Sequence, residues 1–407
     1  MKIHYFTFTA RMVIVMLLAI VLLFKFLIKN PLALLLTFIS SSIHFLDNSS
    51  PHYFRNYISN QLENALKNET TNIKFWRNVV DYTLYNSNMA VNQMNIAVEY
   101  NTTTSTIGYE QRFLNLRIYK KKIHSDVEKR SNLGVLVWFH GGGWVLGSLD
   151  AYDSVCAQFS ITANLVVVSV EYSLAPERPF PAAIGDALIA LTWVKDNIAS
   201  FGGNPGSVFI GGDSAGGNIA ASLMATLLDD TALTTLFPSS LVMMMPSHAV
   251  RTSIVKGLVL YYPSLDSCID RSCWGSYSEY EHDFILPLAR MAWFRRMYQN
   301  HYPLSESLQH VFAPLHTPPH LLRLFPETLI LVGEKDVLRD ESLAYASKLT
   351  DCGVSVRAKV YNSSLHAFLQ ADLYGSGEKS ILFVAEQLNR ILHTISNAEQ
   401  QDCSVIA

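Results

Sequence analysis

The sequence predicts an α/β protein built on a mainly parallel sheet. From residue 134 onward, short runs rich in Val and Ile alternate with longer segments of helical character. Most positions in these runs are apolar, which is typical of strands that are buried on both faces. No internal repeat or long low-complexity linker interrupts the alternation, so this part of the chain is expected to fold as one unit.

The alternation predicts six strands and four helices. The strands are expected at 134–139, 165–170, 207–210, 257–262, 327–333 and 355–361. The helices are expected at 182–199, 216–228, 340–350 and 379–394. Helices between successive strands indicate a parallel sheet that is flanked by helices. Two stretches fall outside the pattern, 51–94 and 267–326, and together they are expected to form a helical cap.

The composition indicates a protein with a large apolar core. Of the 407 residues, 49% are hydrophobic and 16% are charged, against a usual charged share of about 25%. A disordered chain is thereby excluded. The net charge of −3 and the lack of a basic block disfavour nucleic acid as a partner, because binding to its phosphates requires clustered Lys and Arg.

The sequence contains no motif for a metal or a cofactor. The five Cys form no CxxC, and His316 and His320 flank Thr-Pro-Pro, which keeps them off one helical face. The Gly-rich stretch 202–206 precedes a predicted strand instead of following one, and no P-loop motif occurs. We therefore expect neither a metal nor a cofactor. Cys268 and Cys273 can pair in an oxidising compartment, but the spacing alone leaves that open.

Residues 12–28 predict one membrane-spanning helix. Only Lys25 is charged in this segment, whose length meets the lower limit of the roughly 17 to 25 residues that span a bilayer. A cleaved signal peptide is the alternative, but the apolar run exceeds its usual length of about 7 to 15 residues, and no A-x-A-like site follows. Pro31 ends the run, and 32–45 is expected to lie along the membrane interface or under the globular part.

These features divide the chain into five predicted parts. They are an N-terminal tail with a signal anchor (1–30), a membrane-proximal segment with part of the cap (31–94), the first part of the core (95–266), the second cap segment (267–326) and the rest of the core (327–407). The positive charges on the two sides of the predicted span are balanced, so they do not decide its orientation.

N-glycosylation sequons occur only after the predicted span. They lie at Asn48, Asn68, Asn101 and Asn362. Their position is compatible with a lumenal domain, although a chain of this composition contains a similar number by chance. Asn68, Asn101 and Asn362 are the possible glycan acceptors, whereas Asn48 lies close to the predicted membrane surface.

GDSAG at 212–216 is the first motif that carries chemistry. It follows a predicted strand and precedes a predicted helix, which is the strand–turn–helix context of a nucleophile elbow. The sharp turn strains the backbone at Ser214 and leaves no room for side chains beside it, which explains Gly212 and Gly216. A Gly-rich turn in another α/β protein is the alternative for the pentapeptide alone. Its context favours Ser214 as a nucleophile.

HGGGW at 140–144 is the second motif, and it directly follows the first predicted strand. Consecutive glycines let backbone N–H groups approach an oxyanion without obstruction by a Cβ atom. We assign Gly142 and Gly143 as donors, with the N–H of Ala215 completing the oxyanion hole. His140 is expected to hold this loop by hydrogen bonds instead of acting as a base.

A serine nucleophile needs a histidine base that is oriented by a carboxylate. Asp336 lies in the loop after the fifth predicted strand, where such a carboxylate is expected. Asp340 is interpreted as the N-cap of the next helix, and Glu334 is the less favoured substitute for Asp336. His366 lies in the loop after the sixth predicted strand. The chain order Ser214, Asp336, His366 is that of the α/β-hydrolases.

Three motifs together are specific for one family. They are HGGGW at 140–144, YSLAPE at 172–177 followed by FPA at 180–182, and GDSAGGN at 212–218. With them the chain resembles the hormone-sensitive-lipase-like branch of the α/β-hydrolases over about residues 95–393. The hydrophobic N-terminal segment makes it look most like the arylacetamide deacetylase and neutral cholesterol ester hydrolase group.

This resemblance implies a serine carboxylesterase or lipase that acts on lipophilic acyl esters or arylacetamides. It also implies a helical cap and a single-pass type II anchor in the endoplasmic reticulum membrane, with the catalytic domain in the lumen. The chain departs from the family pattern at Val145, where Cys is frequent, and at Ala367, where Gly usually follows the base. A catalytically silent binding or adhesion protein on the same scaffold is the alternative, although such relatives typically lose a triad residue.

Overall fold

The computed structural model describes residues 113–121, 132–283, 285–371 and 375–406, together with Ile73 and Arg77. The segment 12–28, the sequons at Asn48, Asn68 and Asn101, and the predicted boundaries at 30 and 94 lie outside the described residues. The membrane span and the division of the N-terminal region therefore stay predictions.

The described residues form one sheet of seven strands. They are β1 (Leu116–Tyr119), β2 (Leu133–Phe139), β3 (Val166–Val170), β4 (Gly203–Asp213), β5 (Val255–Tyr261), β6 (Glu327–Lys335) and β7 (Val356–Leu365). Their order is β1-β3-β2-β4-β5-β6-β7, and all neighbours are parallel except β1 and β3. All six predicted strands are present. The short antiparallel strand β1 was not predicted.

Both faces of the sheet are buried, which explains the continuous apolar runs. Along β3, Val166, Val168 and Val170 enter one hydrophobic cluster, whereas Val167 enters the cluster on the opposite face. Successive side chains of a strand point to opposite faces, so a strand between two layers of helices needs an apolar residue at nearly every position.

The helices fill the intervals between the strands. They are α1 (Asp153–Ala163), α2 (Ala182–Asn197), α3 (Ala215–Leu228), α4 (Asp230–Leu236), α5 (Ser239–Met244), α6 (His248–Ile254), α7 (Gly275–Glu279), α8 (Leu288–Gln299), α9 (Gln309–Phe312), α10 (Pro319–Leu322), α11 (Arg339–Asp351), α12 (Phe368–Ala371) and α13 (Ser376–Ile406). The four predicted helices correspond to α2, α3, α11 and α13. α1 was missed because it is buried on several sides and its apolar residues show little helical periodicity.

The helices cover both faces of the sheet. Leu188 of α2, Leu223 of α3 and Leu349 of α11 belong to one cluster, and Phe159 of α1 and Leu388 of α13 belong to the other. This arrangement leaves the carboxyl ends of the parallel strands as the place where a ligand binds.

No single helix within the described part of the chain has both the length and the apolar composition of a membrane span. The pair formed by α3 and α4, which is bent by 109° at its junction, passes the same test by length and composition.

The segment 267–326, predicted as a cap, contains α7 to α10. From α8, Met291 and Phe294 reach the wall of the main cavity at the carboxyl ends of the strands. A disulfide joins Cys268 and Cys273 at the start of this segment, with their Cα atoms 6.5 Å apart. The structure thus settles the pairing that the spacing left open.

The structure corrects the interpretation of Asp340 as a helix N-cap. α11 begins at Arg339, and its N-cap residue is Leu338, which makes no side-chain capping bond. The Asp340 carboxylate accepts hydrogen bonds from the N–H of Ser276 at 2.7 Å and from Nε of Arg339 at 2.8 Å. Ser276 lies in the first turn of α7, where backbone N–H groups lack intrahelical acceptors. Asp340 of the core thus supplies an acceptor to a helix of the cap segment.

We predict that Asp340→Ala lowers the free energy of unfolding by about 1 kcal/mol, the usual loss when a helix N-terminus loses its side-chain acceptor. Chemical denaturation of the purified protein measures this change. Asp351→Ala, which removes an exposed carboxylate at the other end of α11, is the control and should change the value by less than about 0.5 kcal/mol. Equal stability of the two variants would show that the contact with α7 contributes nothing.

Candidate active site

Ser214 lies at a sharp turn between β4 and α3, with φ +53° and ψ −116°. A positive φ is unfavourable for a residue with a Cβ atom, so the surrounding contacts must hold it. A Cβ atom on Gly216 would lie 1.9 Å from the carbonyl oxygen of Phe139, and one on Gly212 would lie 2.4 Å from it. Both positions therefore require glycine, because α3 begins in direct contact with the end of β2.

Ser214, His366 and Asp336 form one hydrogen-bonded row. His366 Nε2 lies 3.0 Å from Ser214 Oγ. His366 Nδ1 lies 2.9 Å and 3.1 Å from the two carboxylate oxygens of Asp336. All three side chains are buried, and they come from the ends of β4, β6 and β7. The structure thus brings together three residues that the sequence analysis placed at three separate strand ends.

Of the three acidic candidates at and after the end of β6, only Asp336 contacts His366. Its Oδ1 also accepts the N–H of Leu338 at 2.8 Å, which fixes the orientation of the carboxylate. Glu334 is exposed and accepts the N–H of Ser363 at 2.6 Å, so it supports the end of β7 instead.

The environment of His366 favours its protonated form. Burial is the largest single influence and lowers the pKa of His366, but the opposing influences, of which the charge and hydrogen bond of Asp336 are the largest, together outweigh it. The pKa of His366 is therefore raised above its ordinary value of 6.5. Asp283 and Asp213 act in the same direction. A base with a raised pKa takes up a proton readily from a nearby hydroxyl.

Gly142 and Gly143 line the cavity beside Ser214, as does Ala215. They have φ +114° and +61°, values that suit glycine. Among the described residues, neither glycine N–H donates to a protein acceptor, and the N–H of Ala215 lies in the first turn of α3, where no intrahelical acceptor exists. The ring of Phe294 covers Gly143, since a Cβ atom there would lie 2.2 Å from it.

His140 holds the glycine loop, as the sequence analysis expects. Its Nδ1 lies 2.8 Å from the carbonyl oxygen of Gly141, and its ring stacks on Tyr172 with 4.3 Å between the ring centres. Burial lowers the pKa of His140 to about 4, although the contact with Gly141 opposes this effect. His140 is therefore neutral near pH 7 and is too weak a base to activate a hydroxyl.

A buried network that the sequence analysis missed surrounds Asp213. The Asp213 carboxylate accepts the N–H of Gly141 at 3.0 Å, the hydroxyl of Tyr152 at 2.8 Å and Nε2 of Gln370 at 2.7 Å. Burial raises the pKa of Asp213 to about 6, while the hydrogen bonds from Gln370 and Tyr152 oppose the shift. Gln370 also accepts the hydroxyl of Tyr262 at 2.9 Å. This network joins the glycine loop, the turn at Ser214 and α12, the short helix after β7.

A cavity of about 310 Å³ opens onto Ser214. Its apolar walls come from both the core and the cap, and they consist of Leu146, Ile285, Leu286, Met291, Phe294 and Leu338. Arg290 of α8 is the cationic residue in this wall. The volume lies at the lower end of the roughly 300 to 1,000 Å³ that is usual for small-molecule sites. The cavity therefore suits a mostly apolar group of modest size.

Arg77 ties the segment before the core to the glycine loop. Its Nε donates to the carbonyl oxygen of Val145 at 2.7 Å, and its Nη2 donates to that of Ala175 at 2.9 Å. Both terminal nitrogens bind the carboxylate of Glu177 at 2.9 and 2.8 Å. The backbone carbonyl of Val145 and the side chain of Glu177 thus hold Arg77 beside the site.

Ala367 has φ +60°, a conformation that favours glycine. The family pattern of Gly after the base histidine therefore has a local backbone reason. Here the chain adopts the same left-handed conformation with an alanine, at the cost of some strain.

The comparisons with known proteins agree with this fold. The model of a family described as having the alpha/beta hydrolase fold matches residues 136–370, more than half of the chain. Carboxylesterase NlhH of Mycobacterium tuberculosis is 34% identical over 270 residues, which are 65% of this chain and 74% of that protein. An arylesterase of Saccharolobus solfataricus is 28% identical over 296 residues, 72% of this chain and 87% of that protein.

Solved structures of esterases are also similar. An esterase from Pyrobaculum calidifontis has a TM-score of 0.64 and 29% identity, with 79% of this chain and 94% of that chain covered. Esterase LipW from Mycobacterium marinum has a TM-score of 0.65 and 26% identity, with 80% and 91% covered. The chain therefore belongs to the α/β-hydrolase fold family, in its hormone-sensitive-lipase-like branch.

Proposed function

We propose that this protein is a serine carboxylic-ester hydrolase that forms an acyl-enzyme on Ser214. The observation that carries the proposal is the row of Ser214, His366 and Asp336, which faces an apolar cavity. The carboxylesterases among the relatives support the same reaction type.

In the first half of the reaction, His366 Nε2 takes the proton of Ser214 Oγ while this oxygen attacks the ester carbonyl carbon. Asp336 accepts the hydrogen bond from His366 Nδ1 and stabilises the imidazolium that forms. The N–H groups of Gly142, Gly143 and Ala215 donate hydrogen bonds to the carbonyl oxygen and stabilise the negative charge that forms on it. His366 then gives its proton to the departing alcohol, which leaves an acyl group on Ser214.

In the second half, a water molecule takes the place of the alcohol. His366 removes a proton from this water while its oxygen attacks the acyl carbon, and the same N–H groups stabilise the second oxyanion. When the intermediate collapses, Ser214 recovers its proton from His366 and the carboxylic acid is released. Besides the described residues, the two half-reactions need only the ester and one water molecule, and they yield one alcohol and one carboxylic acid.

The substrates we propose are neutral, lipophilic acyl esters, with arylacetamides as a narrower possibility within the same chemistry. The mostly apolar wall of the cavity supports this choice, because such a wall binds apolar groups and gives few partners to polar ones. The resemblance to the arylacetamide deacetylase group supports the narrower possibility. A panel of p-nitrophenyl esters and acetanilides that differ in acyl length would rank the classes.

A silent binding protein on the same scaffold is the competing function. It would retain the fold without the need for a complete serine–histidine–aspartate row. A fluorophosphonate probe separates the two, because it labels only a serine that an adjacent base activates. Labelling of the wild-type protein supports the enzyme, and a lack of labelling supports the binding protein.

We predict that Ser214→Ala abolishes both ester hydrolysis and fluorophosphonate labelling while the protein stays folded, because it removes one oxygen atom and the nucleophile with it. Steady-state kinetics and circular dichroism measure the two properties. Ser222→Ala is the matched control. Ser222 is also buried, but it lies on α3 eight residues after Ser214. Activity of Ser214→Ala within tenfold of the wild type would reject the assignment of the nucleophile.

We also predict that Asp336→Asn lowers kcat by orders of magnitude, as the corresponding change does in serine proteases by about 10⁴, because an amide favours the wrong imidazole tautomer. Glu334→Gln and Asp340→Asn are the matched controls, since neither carboxylate contacts His366. An inactive Asp340→Asn together with an active Asp336→Asn would reverse the two roles.

The variant Asp336→Asn also tests the pH dependence of kcat/KM. The base must be unprotonated, so kcat/KM should fall as the pH drops through the raised pKa of His366, above 6.5. Asp336→Asn removes the charge that raises this pKa, so the midpoint of the acid limb should move to lower pH. A midpoint that does not move would assign the limb to another group, for which Asp213 with its pKa of about 6 is the candidate.

We further propose a single-pass type II protein of the endoplasmic reticulum membrane with a lumenal catalytic domain. The apolar segment 12–28 and the family resemblance support the anchor. The disulfide between Cys268 and Cys273 supports an oxidising compartment. Asn362 is exposed at the end of the edge strand β7, where a glycan would find room.

We predict that the catalytic domain is protected from protease in intact microsomes, that it shifts in mobility after glycosidase treatment, and that it resists extraction by carbonate. Glycan is expected on at least one of Asn68, Asn101 and Asn362, and the Asn→Gln variant of each sequon identifies the site. Digestion without detergent, together with no mobility shift, would place the domain in the cytosol. Release by carbonate would contradict the spanning helix.

A further inference from the structure

A buried arginine of the cap reaches into the core. Arg295 lies on α8 and is only 3% exposed. Its Nη2 donates to Ser264 Oγ at 2.9 Å and to the hydroxyl of Tyr277 at 3.3 Å, and its Nη1 donates to the carbonyl oxygen of Cys268. The guanidinium of Arg295 on α8 therefore connects three parts of the chain, namely the start of the cap, α7 and the loop after β5.

The counter-charge comes from the helix that follows the proposed acid. Glu341 of α11 is fully buried, and both its oxygens lie 3.4 Å from Arg295 Nη2. It also accepts the N–H of Leu265 at 2.6 Å and the hydroxyl of Tyr277. A buried ion pair of this kind has a large desolvation cost, so it is expected where a defined geometry is needed.

The residue before Arg295 on α8, Phe294, forms part of the substrate cavity. Phe294 covers Gly143, one of the proposed oxyanion donors, and Met291 lies one turn earlier in the same wall. Met291, Phe294 and Arg295 lie on the same helix, so contacts that hold Arg295 in place also hold Phe294 and Met291 over the cavity. A small shift of α8 changes the volume available to an apolar group.

The same cluster reaches the turn at the nucleophile. Ser264, which Arg295 contacts, lines the cavity, and its N–H donates to the carbonyl oxygen of Ser214 at 3.2 Å. Asn218 of α3 donates to the carbonyl oxygen of Ser264 at 2.9 Å. The cap helix and the nucleophile turn are thus positioned against one shared loop.

We propose that the pair of Arg295 and Glu341 positions α8 over Ser214 and thereby determines which large apolar esters the site accepts. This inference rests on the proposed ester hydrolase function. Both members are positioning residues that act on the substrate through Phe294 and Met291. A small ester has no long acyl chain to place against that wall, so its hydrolysis depends on the pair much less than that of a large ester.

The test compares p-nitrophenyl decanoate with p-nitrophenyl acetate. In Arg295→Met, kcat/KM for the decanoate should fall at least about tenfold through a higher KM, whereas the value for the acetate should change less than about threefold. Tyr298, on the same helix, stacks on Trp144, and we expect this contact to keep α8 attached to the core in the variant. Arg296→Met, the same change at an exposed neighbour on α8, is the matched control and should leave both esters unaffected.

A second variant covers the case in which Arg295→Met fails to fold because Glu341 is left without its counter-charge. Arg295→Met/Glu341→Gln removes both charges and should fold, because the loss of both members of a buried pair is often tolerated. It should retain the selective loss of decanoate hydrolysis. Arg295→Lys keeps the charge but not the forked geometry, so it should retain only part of the wild-type activity on the decanoate.

Hydrogen–deuterium exchange gives a readout that does not depend on catalysis. Amides of α8 (Leu288–Gln299) should exchange faster in the double variant, while those of α3 should not change. If the wild type hydrolyses neither ester, the proposed function fails, and exchange alone still decides whether the pair holds α8. Wild-type exchange in α8, or an equal loss of activity on both esters, overturns the inference.

Discussion

The strained turn at Ser214 is the constraint on which the rest of the site depends. A positive φ at a residue with a side chain is unfavourable, and it persists here because β4 enters and α3 leaves in fixed directions. The close approach of α3 to the end of β2 leaves no space for a side chain on Gly212 or Gly216. The turn is therefore stable only inside a finished sheet, with its neighbouring strands in register.

That sheet determines where the other groups lie. Because β2, β4, β5, β6 and β7 are parallel, their carboxyl ends share one edge, and the loops that follow them meet around Ser214. Asp213, at the end of β4, joins the segment after β2 to the segment after β7 through hydrogen bonds from Gly141, Tyr152 and Gln370. The donors offset much of the cost of a buried carboxylate, and they hold the glycine loop at a constant distance from the nucleophile.

The cap is attached to this edge by charged groups as well as by apolar contacts. Asp340 accepts an N–H of α7, and Glu341, the next residue of α11, pairs with Arg295 of α8. α11 starts three residues after Asp336, so one helix both follows the proposed acid and supports the cap. The residues 336–341 thus contain both the proposed catalytic acid and the two carboxylates that hold the cap.

Local patterns in the sequence determined the strand positions, Ser214, the glycine loop and the candidates Asp336 and His366, because buried parallel strands and sharp turns restrict the residues that can form them. They did not determine the strand β1, whose four residues lack a distinctive pattern, or the role of Asp340, whose partner lies 64 residues away. The sequence favoured Asp336 over its acidic neighbours, but only the tertiary structure showed its contact with His366, the network of Asp213 and the pair of Arg295 and Glu341. Each depends on contacts between side chains distant in sequence, and such contacts leave no periodicity or spacing that a single chain reveals.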